Sequence, residues 1–583
     1  MNSQGKKIIG LLLEDLFTDF AKDIIHSVTN AIGSRSDVML VVISGKHDEK
    51  RDPNTQEYYY KMVYNSIYCL EEVCPFDGLI LSLGSTPDLR MADGVSVFGD
   101  RFKDVPKVYI SSAVKNEISV NYDNETGIRE AVDYLVKVEG FTRIGMLGGR
   151  DDNPDAVERK LIFVNCLEDN NIHFGLRMYE KTDMSESCAR AAENLLDRNP
   201  NIQAIFCVND AVAKGLYEVM EQRKLIPGKD IAVFGFDNTR MAGEMIPPLS
   251  SIGSNSDALG QAAVELLMRM IAGENVQSVL IPTRLFGRES FKYEMYDYTS
   301  SEMLQFNEEF IAKMFDDCFY RYKNEIYDRE NINLKRLFHE YMAKILNAMK
   351  HRYMSVEEFN EAGRLIDIFF DNGAMNYTDA DKFVKSIERI QGSINRTQKS
   401  VAANVRINRL FTRAKDRAIQ SLARGRVQRE HLTRYGRGRM KDFLAETPDY
   451  TGTGTDQIEN IVENFEKMGF KNAALYLFTE PVIYEFDKHP KFPVNIELMC
   501  VMKAGELFVV PKERRRCSLK MIFTRDELAL RCKGFVALPV FYGSNIYGLI
   551  IVELAGDIAD RGDYVADLLG RALYIAHHEN KKE

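Results

Sequence analysis

Between Lys6 and Ser290 the chain alternates short apolar runs with longer amphipathic stretches. The apolar runs are Lys6–Leu13, Val38–Ser44, Gly78–Leu83, Lys107–Ser111, Arg143–Gly148, Ala204–Val208 and Ile231–Phe236. Each holds four to eight residues with few charges, the signature of strands buried on both faces. Gly127–Val138 and Ser187–Asp197 carry helical spacing between them. Strand–helix alternation predicts βαβ crossovers and parallel sheets. About ten such units in this length are too many for one sheet, so the spacing predicts two similar lobes.

The pattern changes after residue 290. Leu334, Leu337, Phe338, Tyr341, Ile345, Leu346 and Met349 recur every three or four residues, one apolar stripe of a helix. Ser355 and Glu358 form a capping-box pattern ahead of another helix. Ile458, Ile461, Val462 and Phe465 give a further stripe, followed by a strand at Ala473–Phe478. The apolar runs Gly534–Phe541 and Ile546–Leu554, flanking Tyr542-Gly-Ser-Asn545, predict a β-hairpin. A helix from Asp563 to about Glu579 closes the sequence.

The expected architecture is therefore α/β: a two-lobed parallel-sheet domain over 1–290, an α-helical connector over 291–395, a basic helical segment and linker over 396–455, and an α+β domain over 456–583. A chain of 583 residues is too long for one core; about three or four domains suit it. Hydrophobic residues make up 45% and charged residues 28%, an ordinary folded composition, and the net charge of −10 excludes a globally basic nucleic-acid binder. The longest early apolar run, Ile8–Leu13, is too short for a membrane span or a secretory leader, and the nine cysteines are scattered without a CxxC pair. These features predict a cytoplasmic, reduced protein without disulfides or metal.

Residues 396–441 hold fourteen Lys/Arg against Asp416 and Glu430, a net of +12. Arg406, Arg409, Arg413 and Arg417 would share one helix face, able to bind nucleic-acid phosphates or an anionic membrane. The remainder of the chain carries about −22, so pairing within the molecule is the competing reading. Arg424-Gly-Arg426 and Arg437-Gly-Arg439 are expected to form flexible turns.

Several segments of the first domain occur in the order found in one family. They are Val120-Asn-Tyr-Asp-Asn-Glu-Thr-Gly127, Phe141-Thr-Arg-Ile-Gly-Met-Leu-Gly-Gly149, Val208-Asn-Asp-Ala-Val-Ala-Lys-Gly215, Val233-Phe-Gly-Phe-Asp-Asn238, Pro247–Ile252 and Pro282–Ser290. This half resembles the ligand-binding core of LacI/GalR repressors, a periplasmic-binding-protein-like fold. The resemblance implies an interlobe ligand crevice. Candidate ligand-binding residues are Asp15, Phe17, Ser111, Ser112, Arg159, Asn209, Asp210 and Asp237. Ligands of open α/β sheets sit outside the carboxyl ends of strands, where Asp15, Asn209, Asp210 and Asp237 fall. The same residue types also serve as turn residues and helix caps there. Two departures mark this chain. Ser111-Ser112 replaces an Asp-Arg pair, and the family's ligand-gripping arginine aligns with Val157, with Arg159 two residues on. The first strand begins at Lys6, so no helix-turn-helix is expected ahead of it.

Residues 456–583 resemble a GAF domain through Leu538-Pro-Val-Phe-Tyr-Gly-Ser-Asn-Ile-Tyr-Gly-Leu-Ile-Ile-Val-Glu553. This order of domains resembles the sensory half of bacterial signalling proteins such as GGDEF diguanylate cyclases. No Walker A sequence, GGDEF signature or nucleophile motif occurs, so no enzyme and no cofactor are expected. The reading is a sensor of a small, sugar-like or other polar ligand, a homodimer working through an output domain or partner protein. The alternatives are a transcriptional regulator holding DNA through 396–441, or part of a cyclase whose catalytic domain lies beyond residue 583.

Overall fold

The computed structural model describes residues 6–579 apart from 17, 34, 36, 47–54, 73, 84–101, 103, 112–113, 115, 255–256, 292–298, 300, 302–305, 320–321, 323–332, 379, 398–399, 447–453, 486–489, 524–533 and 555–557. Its first half is a two-lobed α/β fold with largely parallel sheets. Lobe 1 carries strands β1 (Lys7–Leu13), β2 (Val38–Ser44), β3 (Gly78–Ser82), β4 (Lys107–Ile110) and β5 (Ser119–Asp123). Lobe 2 carries β6 (Ile144–Gly148), β7 (Tyr179–Lys181), β8 (Ala204–Cys207), β9 (Ala232–Phe236) and β10 (Ser250–Gly253). The chain then returns to lobe 1 for β11 (Val279–Pro282) and to lobe 2 for β12 (Arg284–Phe286). Lobe 1 runs β11-β5-β4-β3-β1-β2, all parallel; lobe 2 runs β12-β10-β9-β8-β6-β7, with only the β10–β12 pair antiparallel. Apart from Lys7 at the start of β1, strands β1, β2, β6 and β9 are buried along their whole length, as their continuous apolar runs require.

Helices α1 (Asp19–Ile32) and α2 (Gln56–Tyr64) belong to lobe 1. Lobe 2 holds α3 (Asn124–Asp133), α4 (Pro154–Asp169), α5 (Ala189–Arg198) and α6 (Asp210–Gln222). The next, α7 (Ala258–Ile271), packs back on α1. The lobes are joined where β5 enters α3, where β10 leads to α7, and where β11 leads to β12. Thr283 ties two of these crossings together: its hydroxyl donates to Asp123 O at 2.6 Å and accepts from Gly127 N at 3.1 Å. A Cβ on Gly127 would fall 2.3 Å from Ile252 Cγ2, so the last residue of the V-x-x-D-N-x-x-G segment is where a helix start and a strand touch.

A helical bundle follows: α8 (Glu308–Cys318), α9 (Leu334–His351), α10 (Val356–Asp371), α11 (Ala380–Thr397) and α12 (Val401–Glu446). Ser355 and Glu358 form the expected capping box on α10. The bundle core includes Phe315, Phe338, Tyr341, Phe369, Phe383, Leu410 and Phe411. Helix α12 corrects one expectation. Arg424-Gly-Arg426 and Arg437-Gly-Arg439 are not turns but lie inside one 46-residue helix. A glycine costs a helix interior only about 1 kcal/mol relative to alanine, so it does not by itself end a helix.

The last unit is an antiparallel sheet of β13 (Ala473–Ile483), β14 (Asn495–Lys503), β15 (Glu506–Val509), β16 (Arg516–Ser518), β17 (Gly534–Tyr542) and β18 (Asn545–Glu553), with α13 (Gly454–Glu463) and α14 (Ile558–Glu579) against it. The predicted hairpin is β17–β18. This sheet is not separate from the first half. Strand β17 pairs in parallel with β2, Gly534 opposite Leu40 through Ala537 opposite Ile43, making one twelve-stranded sheet. The physical reason lies in β2: all seven residues are buried, and its outer edge needs a ladder partner. Phe541 packs against Tyr60 and Tyr64, and the Tyr60 hydroxyl donates to Asp567 at 2.8 Å.

Candidate functional site

The carboxyl ends of β8 and β9 and the start of α3 converge on Arg159. This residue sits one turn inside α4, whose N-terminus is capped by Asn153. Its Nε donates to Asn124 Oδ1 at 3.2 Å, its Nη1 to Val208 O at 2.8 Å and its Nη2 to Asp237 Oδ1 at 3.1 Å. The guanidinium lies 3.6 Å above the Phe236 ring centroid. The Arg159 and Asp237 side chains are 4% and 13% exposed, so water screens this pair little.

Asp237 is held in an uncommon backbone state. Its φ is 94° and that of Asn238 is 48°, left-handed values that non-glycine residues keep only when surroundings enforce them. Here Asp237 N donates to Ile252 O, Asn238 N to Ser251 Oγ, and Arg288 Nη2 to Asn238 Oδ1. Burial pushes the Asp237 carboxyl above its ordinary range despite Arg159 beside it.

Three further groups complete the locus. Tyr122, from the end of β5, lies 6.0 Å from the Phe236 ring, and burial together with Asp237 raises its hydroxyl. Asn124 donates to Glu158 Oε2 at 2.6 Å. Asp155, on the same helix face as Arg159, is pushed up to about 6 by burial, against the pull of Arg159. The locus thus offers carboxylates, one amide, one phenol and aromatic faces around a guanidinium that is already engaged.

The candidate residues separate into groups. Arg159 and Asp237 come together. Asp15, after β1, is half-buried, and Ser111, after β4, is half-buried with a φ of 51°. Phe17 and Ser112 lie outside the described residues. Asn209 caps α6, accepting from Val212 N at 2.9 Å, while its amide donates to Met184 O. Asp210 is turned away from solvent at 1% exposure. It accepts from Thr239 N, Thr239 Oγ1 and Ser251 Oγ, which staples α6 to the loop after β9 and to strand β10. For these two residues the geometry is that of a cap and a staple. Val157, the position aligned with the family's arginine, is exposed. Sequence reasoning missed Tyr122, Asn124, Asp155, Glu158 and Phe236. Tyr122, Asn124 and Phe236 stood inside quoted segments, and the four-residue spacing of Asp155 and Arg159 was the signal on α4.

Among the described side chains of the basic helix, most of the cations are answered from within the molecule. Arg413 and Arg417 both donate to Asp367, Arg424 pairs with Asp371 at 3.0 Å, and Arg406 donates to Met354 O. Hydrogen bonds from Arg413 and Arg417 hold the Asp367 carboxyl down at about 2. Arg409 is exposed. Among the described residues no group of three or more His, Cys, Asp or Glu could hold a metal ion, and no helix is long and apolar enough to cross a membrane.

Comparison with known proteins places these features. Residues 132–291 match the periplasmic binding protein-like domain family. The chain is 28% identical over 219 residues to the HTH-type transcriptional regulator CelR of Thermobifida fusca, covering 36% of this chain and 62% of that protein. It is 26% identical over 202 residues to the HTH-type transcriptional repressor CytR of Escherichia coli K12, covering 32% and 59%. The chain thus spans about three fifths of the length of these relatives. Among solved structures, a CelR–cellobiose complex aligns with a TM-score of 0.41 at 22% identity, over 49% of this chain and 86% of the other. These relatives are transcriptional regulators by name, and a periplasmic binding protein-like domain is what the family match gives this chain.

Proposed function

We propose that this chain is a ligand-responsive regulator of transcription whose sensor is the two-lobed half. The observation that carries the reading is the Arg159–Asp237 pair at the carboxyl ends of lobe 2 strands, facing the crossings between lobes. Asp237, Asp155 and Glu158 accept hydrogen bonds from hydroxyls or amines, and Phe236 with Tyr122 offers ring faces to a sugar or nucleoside. The CelR and CytR similarities support the regulatory role. A ligand that prefers one lobe arrangement shifts the balance between arrangements by its differential affinity.

Arrangement of the domains supports a route outward. Lobe 1 is continuous with the last sheet, whereas lobe 2 meets the bundle through Lys385 and Glu289 at 3.3 Å and Lys382 over Phe286. Closure then moves the bundle against the last domain. A second reading, favoured by the β17–β18 hairpin, makes 456–583 a GAF-like relay to an output enzyme or partner protein.

The test is thermal stabilisation by a panel of mono- and disaccharides and nucleosides, then salt-dependent DNA retardation with and without the stabilising compound. A stabilising sugar or nucleoside whose affinity falls at least tenfold in Asp237→Ala supports the sensor. Unchanged affinity in that variant overturns the site. Absence of DNA retardation under all conditions favours the relay.

A further inference from the structure

Among the described residues, the outer face of α12 from Val401 to Ile419 is open to solvent. Ala403, Ile407, Leu410, Phe411, Ala414 and Ala418 bury the inner face in the bundle. On the opposite side Val401, Val405 and Ile419 are 78%, 46% and 60% exposed, in line with Thr412. Beside this stripe runs a groove of about 800 Å³, walled by Phe359 and by Arg409, Arg413 and Asp416. Neither Arg409 nor Asp416 has an ion-pair partner among the described residues, unlike Arg413, Arg417 and Arg424.

We propose that this face binds a second copy of the same helix, antiparallel, about a twofold axis beside Thr412. The positions are self-complementary. Val405 and Ile419 lie seven residues on either side of Thr412, and Arg409 and Asp416 straddle it. At 1.5 Å per residue, Arg409 and Asp416 are about 10.5 Å apart along the axis. Both lie on the same flank of the apolar stripe, at 100° per residue. A twofold perpendicular to the helix pair keeps that flank on one side, so Arg409 of each copy meets the partner's Asp416 and Val405 meets the partner's Ile419. A parallel mate in the same register sets Arg409 against the partner's Asn408 and leaves both charges without a counterion. Two complementary pairs flanking an apolar centre fix orientation as well as attraction. This inference is independent of what the crevice binds.

The full-length chain tests it. Sedimentation should show that Arg409→Glu and Asp416→Arg each weaken self-association by about tenfold, and that the double variant recovers it. Mixed Val405→Cys and Ile419→Cys chains should crosslink to each other on oxidation. Val405→Cys alone should not, because two copies of residue 405 are about 21 Å apart along the axis in this arrangement. Unchanged assembly in all charge variants, or 405–405 crosslinks, overturns the proposal. Loss of polyanion binding in the same variants without change of mass also overturns it, assigning the face to nucleic acid.

Discussion

The guanidinium of Arg159 meets the carboxylate of Asp237 at 3.1 Å across 78 residues of sequence, linking a helix of lobe 2 to the end of its β9 strand. The same guanidinium reaches Asn124, the first residue past the crossing from lobe 1. One side chain therefore reports on both the crevice wall and the hinge.

Removing it should be costly. Arg159→Ala leaves Asp237 buried without its counterion, a change worth about 3–5 kcal/mol. Urea unfolding should show that loss. The double variant Arg159→Ala/Asp237→Ala should lose less than the sum of the singles.

Asp210 gives a pH signature. Burial and the Asp237 charge raise its carboxyl to about 7, against hydrogen bonds from Ser251 and Thr239. The folded state therefore holds this proton more tightly than the unfolded chain, whose carboxyl titrates near 4. The stability this contributes is complete below pH 4 and is lost as pH rises through 7. Melting temperature measured from pH 5 to 8 should fall less steeply in Asp210→Asn than in the wild type.

Gly127→Ala should destabilise the hinge by about 1–3 kcal/mol, because its methyl would meet Ile252 and Thr283. Calorimetry checks the loss. Gly273→Ala, where no atom lies within 4 Å but φ is 85°, separates backbone strain from crowding.

Asp367→Asn tests what the basic helix is for. Its ion pairs are partly exposed and contribute about 0–1 kcal/mol, so melting should barely move. If Asp367 keeps Arg413 and Arg417 occupied, the variant should retain heparin more strongly, with a steeper salt dependence. Unchanged retention would mean that those arginines are available in the wild type.

Much of this architecture was legible in the residues. The seven apolar runs became β1–β4, β6, β8 and β9 because strands buried on both faces admit almost nothing polar. Strands β5, β7 and β10 were hidden by the polar residues that make up half or more of each, and β11 and β12 by having only four and three residues. At the strand ends, the place of Asp237 after β9 was legible from its segment, whereas the contact of Asp210 with Ser251 was not. Such contacts join residues about forty apart, beyond any periodicity. The β2–β17 pairing was invisible for the same reason: an apolar run states that it needs neighbours, not which ones.

That pairing bears on how the protein is made. Ser44 and Gly534 are 490 residues apart, so at ribosomal speeds the edge of β2 waits on the order of 25–100 s for its mate. During synthesis a flat, apolar strand margin is open to any nascent neighbour. The growing chain should thus depend on chaperone cover until residue 537 has left the exit tunnel.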